Sequence, residues 1–416
     1  MSQPGGSSSS NSSKTLHVAY LGPEASFSHQ AAIEVFPPST DQAVTLHPLP
    51  SFSAIFSAIQ NLSGPGDGTG SEGQSPARPR SRREPEDSIH YDYALVPIEN
   101  STNGSVVQVL DLIAQCGPDA PALYPDLEVC AEYYLPVHHC LFVSPRASSS
   151  AEHALGNTTA SAATSHDDGN LQLRRAIRTL YTHPQVWGQC ARFLAKHFSP
   201  KDVERIDVGS TSAAAQLVAR DAHSATSGGL NAAIASKLAG ERHALVCLAE
   251  NIEDEPGRNT TRFVVVRNRR ARQARRSRNI DDDDDTTDTD TVNFETPKLV
   301  ATEVRQSQKQ RPRRYKSLIT FTIPHTKPGA LADALAVFKN CGFNLTSIDT
   351  RPSRKRNWQY VFFVECEDAS TPAAGTEGED KVMEMLDELS KFTESLRYLG
   401  RFVDRLPEQD GDGRDG

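Results

Sequence analysis

The feature that most constrains the fold is a unit that occurs four times in the first 220 residues. In each unit a short apolar run, which predicts a strand, ends in a polar loop that leads into a segment with helical periodicity. Strands that alternate with helices predict an open α/β sheet, in which loops at the carboxyl ends of strands form ligand sites. The four loops, rich in Ser, Thr, Asn or His, are residues 22–28, 97–105, 182–185 and 209–212.

These loops also indicate the charge of a ligand. Each stands at a helix N-terminus, where unpaired N–H groups and a partial positive charge attract anions. A single loop of this kind is more often only a helix cap. Four of them, together with the segment 259–263 at the start of the apolar run 263–266, favour a cleft for a small anionic ligand. Arg262 is a candidate carboxylate clamp, because a guanidinium binds a carboxylate bidentately; a surface salt bridge is the alternative.

The C-terminal part of the chain has a different pattern. From Ser317 onward the predicted order is β-α-β-β-α-β, which is the ferredoxin-like arrangement. Residues 268–315 combine an arginine cluster with an acidic run and predict a flexible linker. Residues 63–88 and 145–170 have low complexity and predict disordered insertions. We also expect disordered tails at residues 1–14 and 405–416.

Composition excludes several classes of protein. The seven cysteines are scattered without CxxC spacing, which predicts reduced core residues rather than a zinc site or a disulfide framework. No apolar run reaches eighteen residues, and the N-terminus resembles neither a signal peptide nor a mitochondrial presequence. A net charge of −9 argues against nucleic acid as a partner. We therefore expect a cytoplasmic protein that binds neither nucleic acid nor membrane and contains no metal site or cofactor motif.

The polar loops carry the motifs of a known family. The sequences GPEASFS (22–28), PIENS (97–101), THPQ (182–185), STSAA (210–214) and NTTRF (259–263) resemble, in the same order, motifs of the prephenate dehydratase family. Ala25 departs from the pattern, because the family usually has glycine there. Five motifs in order are a strong signal, whereas any one alone would be weak. The resemblance covers residues 15–267 and 316–404.

The resemblance implies a fold and an activity. Residues 15–267 would form an α/β catalytic region of two lobes, like the periplasmic binding proteins, and residues 316–404 a ferredoxin-like ACT regulatory domain. The family converts prephenate into phenylpyruvate in L-phenylalanine biosynthesis and requires no cofactor. L-Phenylalanine is the implied inhibitor, bound at a subunit interface, which favours a homodimer or homotetramer. Two alternatives stay open, namely an arogenate dehydratase, which shares the motifs, and a non-catalytic amino-acid sensor.

The resemblance also assigns roles to individual residues. It implies that Thr261 polarises the departing hydroxyl and that Arg262 is a second catalytic residue, which could hold a carboxylate. The implied substrate-binding residues are Ser26, Glu99, Asn100, Ser101, His183, Ser210, Thr211, Ser212 and Asn259. The implied effector-binding residues are Gly329, Ala330, Leu331, Asn344, Asp349, Thr350, Arg351 and Pro352. We expect that deletion of residues 315–416 leaves the activity intact and removes inhibition by phenylalanine.

Overall fold

The computed structural model describes residues 15–39, 42–60, 89–116, 123–145, 166–220, 229–270, 314–324, 326–368 and 376–406. The predicted insertion at 63–88, the N-terminal tail and most of the predicted linker and C-terminal tail lie outside these residues. The predicted insertion at 145–170 is too long, because a helix begins at His166.

The chain forms fifteen strands and ten helices in the described residues. Up to residue 176 they are β1 (Leu16–Leu21), α1 (Phe27–Val35), β2 (Val44–Leu49), α2 (Phe52–Gln60), β3 (Tyr93–Asn100), β4 (Gly104–Ser105), α3 (Val107–Ile113), β5 (Leu127–Pro136), β6 (Cys140–Val143) and α4 (His166–Ala176). Up to residue 268 they are β7 (Ile177–Thr182), α5 (Pro184–Gln189), α6 (Ala191–His197), β8 (Glu204–Asp207), α7 (Thr211–Arg220), β9 (Leu230–Ala235), α8 (Lys237–Arg242), β10 (Val246–Ala249) and β11 (Thr260–Asn268). The remainder are β12 (Tyr315–Thr322), α9 (Ala330–Asn340), β13 (Phe343–Pro352), β14 (Tyr360–Asp368), α10 (Thr376–Ser390) and β15 (Ser395–Val403).

The strands form three sheets. The first sheet has the order β2-β1-β3-β11-β5, with β4 paired to β3, and the second has the order β10-β6-β9-β7-β8. Both sheets are mixed: β1 pairs parallel to β2 and β3, for example, whereas β11 pairs antiparallel to β3 and β5. The third sheet, β13-β14-β12-β15, is antiparallel throughout. Its order along the chain is β-α-β-β-α-β, which confirms the ferredoxin-like prediction.

The first two sheets define two lobes that the chain connects twice. It leaves the first sheet at the end of β5, enters the second sheet at β6, and returns from β10 to β11. The two connections, residues 137–139 and 250–259, lie side by side: the Val137 amide donates to the Asn259 carbonyl at 2.8 Å and the Ile252 amide to the His139 carbonyl at 3.0 Å. A cleft between two lobes joined by paired connections is the predicted periplasmic-binding-protein-like architecture.

Strand β11 is buried on both faces of the first sheet, as its apolar run predicts. Phe263 and Val265 pack against α1 on one face, among residues that include Tyr20 and Leu135. Val264 and Val266 face the other side, where α2, α3 and the third sheet cover them. The third sheet contributes five buried side chains to this shared core: Leu318, Val361, Phe363, Leu399 and Phe402.

Two further details differ from the sequence prediction. The helix expected from residue 184 is divided at Cys190, whose backbone leaves the helical region (φ −119°, ψ 24°), into α5 and α6. Strand β2 was not predicted, because Pro48 interrupts its pattern; it pairs with β1 alone and so tolerates the proline as an edge strand. In the part of the chain that the structure describes, no helix has the length and apolar character needed to cross a membrane.

Candidate active site

A cavity of about 1050 Å³ lies between the two lobes. All four polar loops and the start of β11 reach its wall. The first lobe contributes the loop after β1, the end of β3 and β11, and the second lobe contributes the loops that open α5 and α7. The predicted site residues that line the cavity are Ser26, Asn100, His183, Ser210, Thr211 and Thr261.

Thr261 is held by Asn100 at the cavity wall. The Asn100 side-chain Nδ2 lies 3.0 Å from Thr261 Oγ1 and 2.9 Å from Asn259 Oδ1. Asn100 Oδ1 accepts hydrogen bonds from the amides of Thr102 and Asn103, which fixes the direction of the carboxamide. Because Asn100 donates to the Thr261 oxygen, the Thr261 hydroxyl proton is available to a different acceptor.

Serine side chains cap two of the helices that begin at the cavity. Ser26 is the N-cap of α1, where its Oγ accepts a hydrogen bond from the His29 amide at 3.2 Å. Ser210 precedes α7, and its Oγ accepts from the Ala213 amide at 3.0 Å. Among the described residues that line the cavity there is neither lysine nor arginine. Helix N-termini and neutral donors are therefore the groups in this wall that favour an anion.

Two histidines bring titratable groups to the wall. His183 caps α5 through Nδ1. Its pKa is lowered, because the effect of burial exceeds the opposite effect of Asp207. His139 is 1% exposed, and its Nε2 lies 2.7 Å from Gln189 Oε1, so this nitrogen is the donor. His139 Nδ1 has no hydrogen-bond partner among the described residues. Burial also lowers the pKa of His139, more than Gln189 and Glu253 raise it, which favours the neutral ring.

The sequence interpretation missed His139, along with Gln185 and Gln189, as cavity residues. His139 lies in the connection that leads into β6. Gln185 is the last residue of the THPQ motif, so the motif itself was a usable signal. Gln189 carries no local signal, because only the packing of α5 beside the connection brings it to the cavity.

Arg262 does not occupy its predicted position and does not line the cavity. Successive residues of a strand point to opposite faces, so Arg262 points away from the cavity that Thr261 faces. Its Nη2 and Nε lie 2.7 and 2.9 Å from Glu132 Oε2, and Nη2 also contacts Glu365 of the third sheet. Burial lowers the pKa of Arg262, but Glu365 and Glu132 raise it further, so the guanidinium stays charged. Two carboxylates of the protein already occupy the predicted carboxylate clamp.

Four other predicted substrate-binding residues support the wall rather than line it. Ser101 Oγ donates to the Arg258 carbonyl, and Ser212 Oγ donates to the Glu24 carbonyl across the two lobes, both at 2.6 Å. Asn259 is buried and accepts the hydrogen bond from Asn100. The backbone of Glu99 in β3 lies opposite Arg262 of β11 on one side and Ser105 of β4 on the other, next to the wall. These residues position the motif loops.

Ala25 adopts the left-handed conformation that explains the family's glycine. Its φ is +60°, and L-residues pay roughly 1–2 kcal/mol there. The Ala25 amide donates to His29 Nδ1 at 2.8 Å, and the buried methyl group packs against Phe142 and Ala239 of the second lobe. These contacts offset the strain and join the two lobes.

The predicted effector residues fall into two groups. Gly329, with φ +79°, caps α9, where Ala330 is buried and Leu331 is half-buried. Asn344, Thr350 and Pro352 are exposed on β13, an edge strand. Asp349 and Arg351 instead contact the first lobe: Asp349 accepts from Ser105 Oγ at 3.1 Å, and Arg351 Nε lies 2.5 Å from Asp111 Oδ1.

Comparison with known proteins identifies the family. The profile of the prephenate dehydratase family matches residues 18–63 and 86–271. The chain is 30% identical over 370 residues to a probable prephenate dehydratase of Saccharomyces cerevisiae, covering 85% of this chain and 87% of the relative. It is 28% identical over 308 residues to the prephenate dehydratase of Methanocaldococcus jannaschii, covering 74% of this chain and 80% of the relative.

A solved structure shares the fold. It is a prephenate dehydratase from Arthrobacter aurescens in complex with L-Phe, with a TM-score of 0.58 and 20% identity, covering 94% of this chain and 90% of that one. The order of the motifs, the matching profile and the similar relatives agree. The chain belongs to the prephenate dehydratase family.

Proposed function

We propose that the cavity between the lobes converts prephenate into phenylpyruvate, carbon dioxide and water. The observation that carries this proposal is the Asn100–Thr261 pair at the cavity wall, with Nδ2 and Oγ1 3.0 Å apart. A hydroxyl whose oxygen already accepts a hydrogen bond is a better donor, because hydrogen bonds in a chain polarise one another. Thr261 is therefore suited to donate to the oxygen that leaves the substrate ring.

The reaction needs help at one bond in particular. The bond to the ring carboxylate breaks, and its electron pair enters the ring; the C–O bond across the ring breaks, and the hydroxyl leaves as water after it gains a proton. Aromatisation supplies the driving force, so the kinetic difficulty is the departure of hydroxide. Thr261 donates its proton or a strong hydrogen bond at that oxygen, and solvent restores the proton afterwards.

The substrate carboxylates are held without a fixed cation. Prephenate carries two carboxylates, whereas the described lining residues include neither lysine nor arginine. The N-termini of α1 and α7, with Ser26, Ser210 and Thr211, are the proposed anchors for the pyruvyl carboxylate. The ring carboxylate then lies in a less polar part of the cavity beside Phe27, Val137 and Phe263, where loss of its charge as carbon dioxide is easier.

Residues 316–404 are proposed to be an ACT domain that binds L-phenylalanine. Support comes from the βαββαβ order and from the similar fold of the enzyme solved with L-Phe. Gly329 at the start of α9 and Thr350 on the edge strand β13 remain candidates for effector contacts. A site at a subunit interface implies a homodimer or homotetramer. The seven cysteines are free thiols, which agrees with a cytoplasmic location.

The direct test is the formation of phenylpyruvate from prephenate by the purified full chain, with and without L-phenylalanine. We expect turnover that phenylalanine reduces, and a higher kcat/KM for prephenate than for arogenate. Turnover of arogenate in preference to prephenate would replace the substrate assignment. Absence of turnover with either compound, in a folded protein, would leave the amino-acid sensor as the better explanation.

A further inference from the structure

Five charged side chains, of which four are buried and Asp404 is half-buried, meet where the first sheet contacts the third, and we name them the interface charge cluster. Lys316 Nζ lies 3.4 Å from Glu132 Oε1, 3.6 Å from Glu365 Oε1 and 2.9 Å from Asp404 Oδ1. Arg262 binds Glu132 and Glu365, as described above. The cluster contains Glu132, Arg262, Lys316, Glu365 and Asp404.

The cluster is costly to bury, so stability alone does not explain it. Glu132 is fully buried, and burial raises its pKa although Arg262 and Lys316 lower it. Replacing a buried ion pair by apolar side chains of similar size often leaves a protein equally stable or more stable. In some proteins a buried ion pair instead fixes a local geometry. Here the ion pairs hold Arg262, the residue that follows Thr261 in β11.

The pairing of β11 beside Thr261 is irregular on one side only: the ladder to β5 is continuous from Thr260 to Val265, whereas the ladder to β3 is interrupted. Arg262 pairs with Glu99 of β3 and Phe263 with Pro97, so the extra residue of this bulge is Ile98 of β3, opposite the Arg262–Phe263 step of β11. A bulge bends a strand and redirects its side chains, and such bulges are frequent near active sites. The Arg262 side chain holds β11 at this irregular step through its ion pairs on the face opposite the cavity.

We infer that Arg262 is a positioning residue, which fixes Thr261 against the departing hydroxyl through its ion pairs with Glu132 and with Glu365 of the third sheet. This inference rests on the proposed function. Its consequence is that the C-terminal unit takes part in the geometry of the active site, because Glu365 and Lys316 belong to β14 and β12. A displacement of the third sheet would then move the Arg262 side chain and, with it, the adjacent Thr261.

The test compares Arg262→Lys and Glu365→Gln with Arg267→Lys in the full chain. Arg267 is a matched control, because its Nε lies 2.7 Å from Glu128 Oε1 across the same two strands, at the end of β11 far from Thr261. Lysine keeps the charge but loses the two-point contact. A small misplacement of a catalytic group costs much in rate, so we expect kcat to fall about tenfold or more in Arg262→Lys and Glu365→Gln. KM should stay within about twofold of the wild-type value in all three variants, and so should the kcat of Arg267→Lys.

A double-variant cycle separates positioning from general stability. If Arg262 acts through Thr261, then Arg262→Lys lowers the residual rate of Thr261→Ala by less than about twofold. An unchanged kcat in Arg262→Lys, an equal loss in Arg267→Lys, or a full further loss in the double variant would overturn the inference. A rise in KM at constant kcat would make Arg262 a substrate contact instead. Wild-type turnover of prephenate, measured beside these variants, tests the proposed function separately.

Discussion

At the scale of single residues, Asn100 connects the motif loops to the chemistry. It belongs to the PIENS motif, and its carboxamide bonds to Thr261, to Asn259 and to the loop amides at 102 and 103. One side chain thereby joins two motifs that are 159 residues apart in the chain. The donor side of Asn100 acts on Thr261, and the acceptor side shapes the loop.

Asn100→Asp separates these two functions. Aspartate retains an oxygen that can accept from the loop amides but cannot donate to Thr261 Oγ1. We expect kcat for prephenate to fall roughly 10–100-fold, because Thr261 loses its oriented donor and faces a carboxylate that competes for its proton. Steady-state kinetics and circular dichroism measure the two effects. Native kcat in Asn100→Asp would contradict the donor role.

The pair Thr261 and Arg262 shows what the sequence could and could not predict at this scale. Alternation along a strand predicts that neighbours face opposite sides, so Arg262 could have been excluded from the wall that Thr261 lines. Its partners could not be predicted, because Glu132 and Glu365 are 130 and 103 residues away and the third sheet is placed by tertiary packing. The motif located the strand that reaches the cavity, and the face of the strand decides that Thr261 lines the wall and Arg262 does not.

At the scale of elements, β13 contacts the segment that forms part of the cavity wall. Asp349 binds Ser105 of β4, and Arg351 binds Asp111 of α3. Residues 103–108, which include Ser105 and the start of α3, line the cavity. The strand with the predicted effector residues and the catalytic cavity therefore share one short segment.

This contact predicts that Asp111→Asn weakens feedback inhibition. The variant removes the charge that pairs with Arg351 and Arg354, whereas Asp111 itself does not line the cavity. We expect the concentration of phenylalanine for half-inhibition to rise several-fold, corresponding to about 1 kcal/mol of lost coupling, with kcat nearly unchanged. Glu388→Gln, which breaks an exposed ion pair between Glu388 of α10 and Lys391 just after the helix, is the control. Equal inhibition by phenylalanine in Asp111→Asn and Glu388→Gln would refute coupling through the contact between β13 and α3.

The sequence predicted most elements and their order, including the four strands and two helices of the C-terminal unit. The periodicity of the apolar residues was sufficient to predict these elements. It could not predict that β13 would contact α3, because this contact depends on how the third sheet docks on the first. The interface charge cluster was missed for the same reason, since its members come from β5, β11, β12, β14 and the segment after β15.

At the scale of the whole molecule, the shared core changes one expectation. Deletion of residues 315–416 was expected to leave the activity intact. The deletion would remove the five apolar side chains of the third sheet that cover β11 and β5, each contributing roughly 1.5–3 kcal/mol on burial. It would also leave Arg262 and Glu132 without Glu365 and Lys316.

We therefore expect the truncated chain, residues 1–314, to be inactive or aggregated. Solubility, circular dichroism and phenylpyruvate formation measure this outcome. A soluble truncated enzyme with native kcat would show that the C-terminal unit does not support the catalytic sheet. Such a result would also count against the positioning role of Arg262.

Stability should depend on pH through six histidines. Burial is the largest influence on the pKa of His29, His47, His139, His183, His197 and His243, and it lowers each of them. The unfolded chain, with histidine pKa near 6.5, then binds more protons than the folded chain at mildly acidic pH. The histidine contribution to the free energy of unfolding should be fully present near pH 7.5 and be lost as the pH drops below about 6.5. Chemical denaturation at several pH values checks this, and stability that rises between pH 7 and 5.5 would contradict it.

The most direct test of the account is phenylpyruvate formation by Thr261→Ala and Thr261→Ser beside the wild-type chain. In the proposed mechanism the hydroxyl donates to the leaving group, so we expect Thr261→Ala to lose roughly 10²–10³-fold in kcat with an unchanged circular dichroism spectrum. Thr261→Ser keeps the hydroxyl and should stay within about tenfold of the wild type. A folded Thr261→Ala variant that forms phenylpyruvate at the wild-type rate would contradict the account.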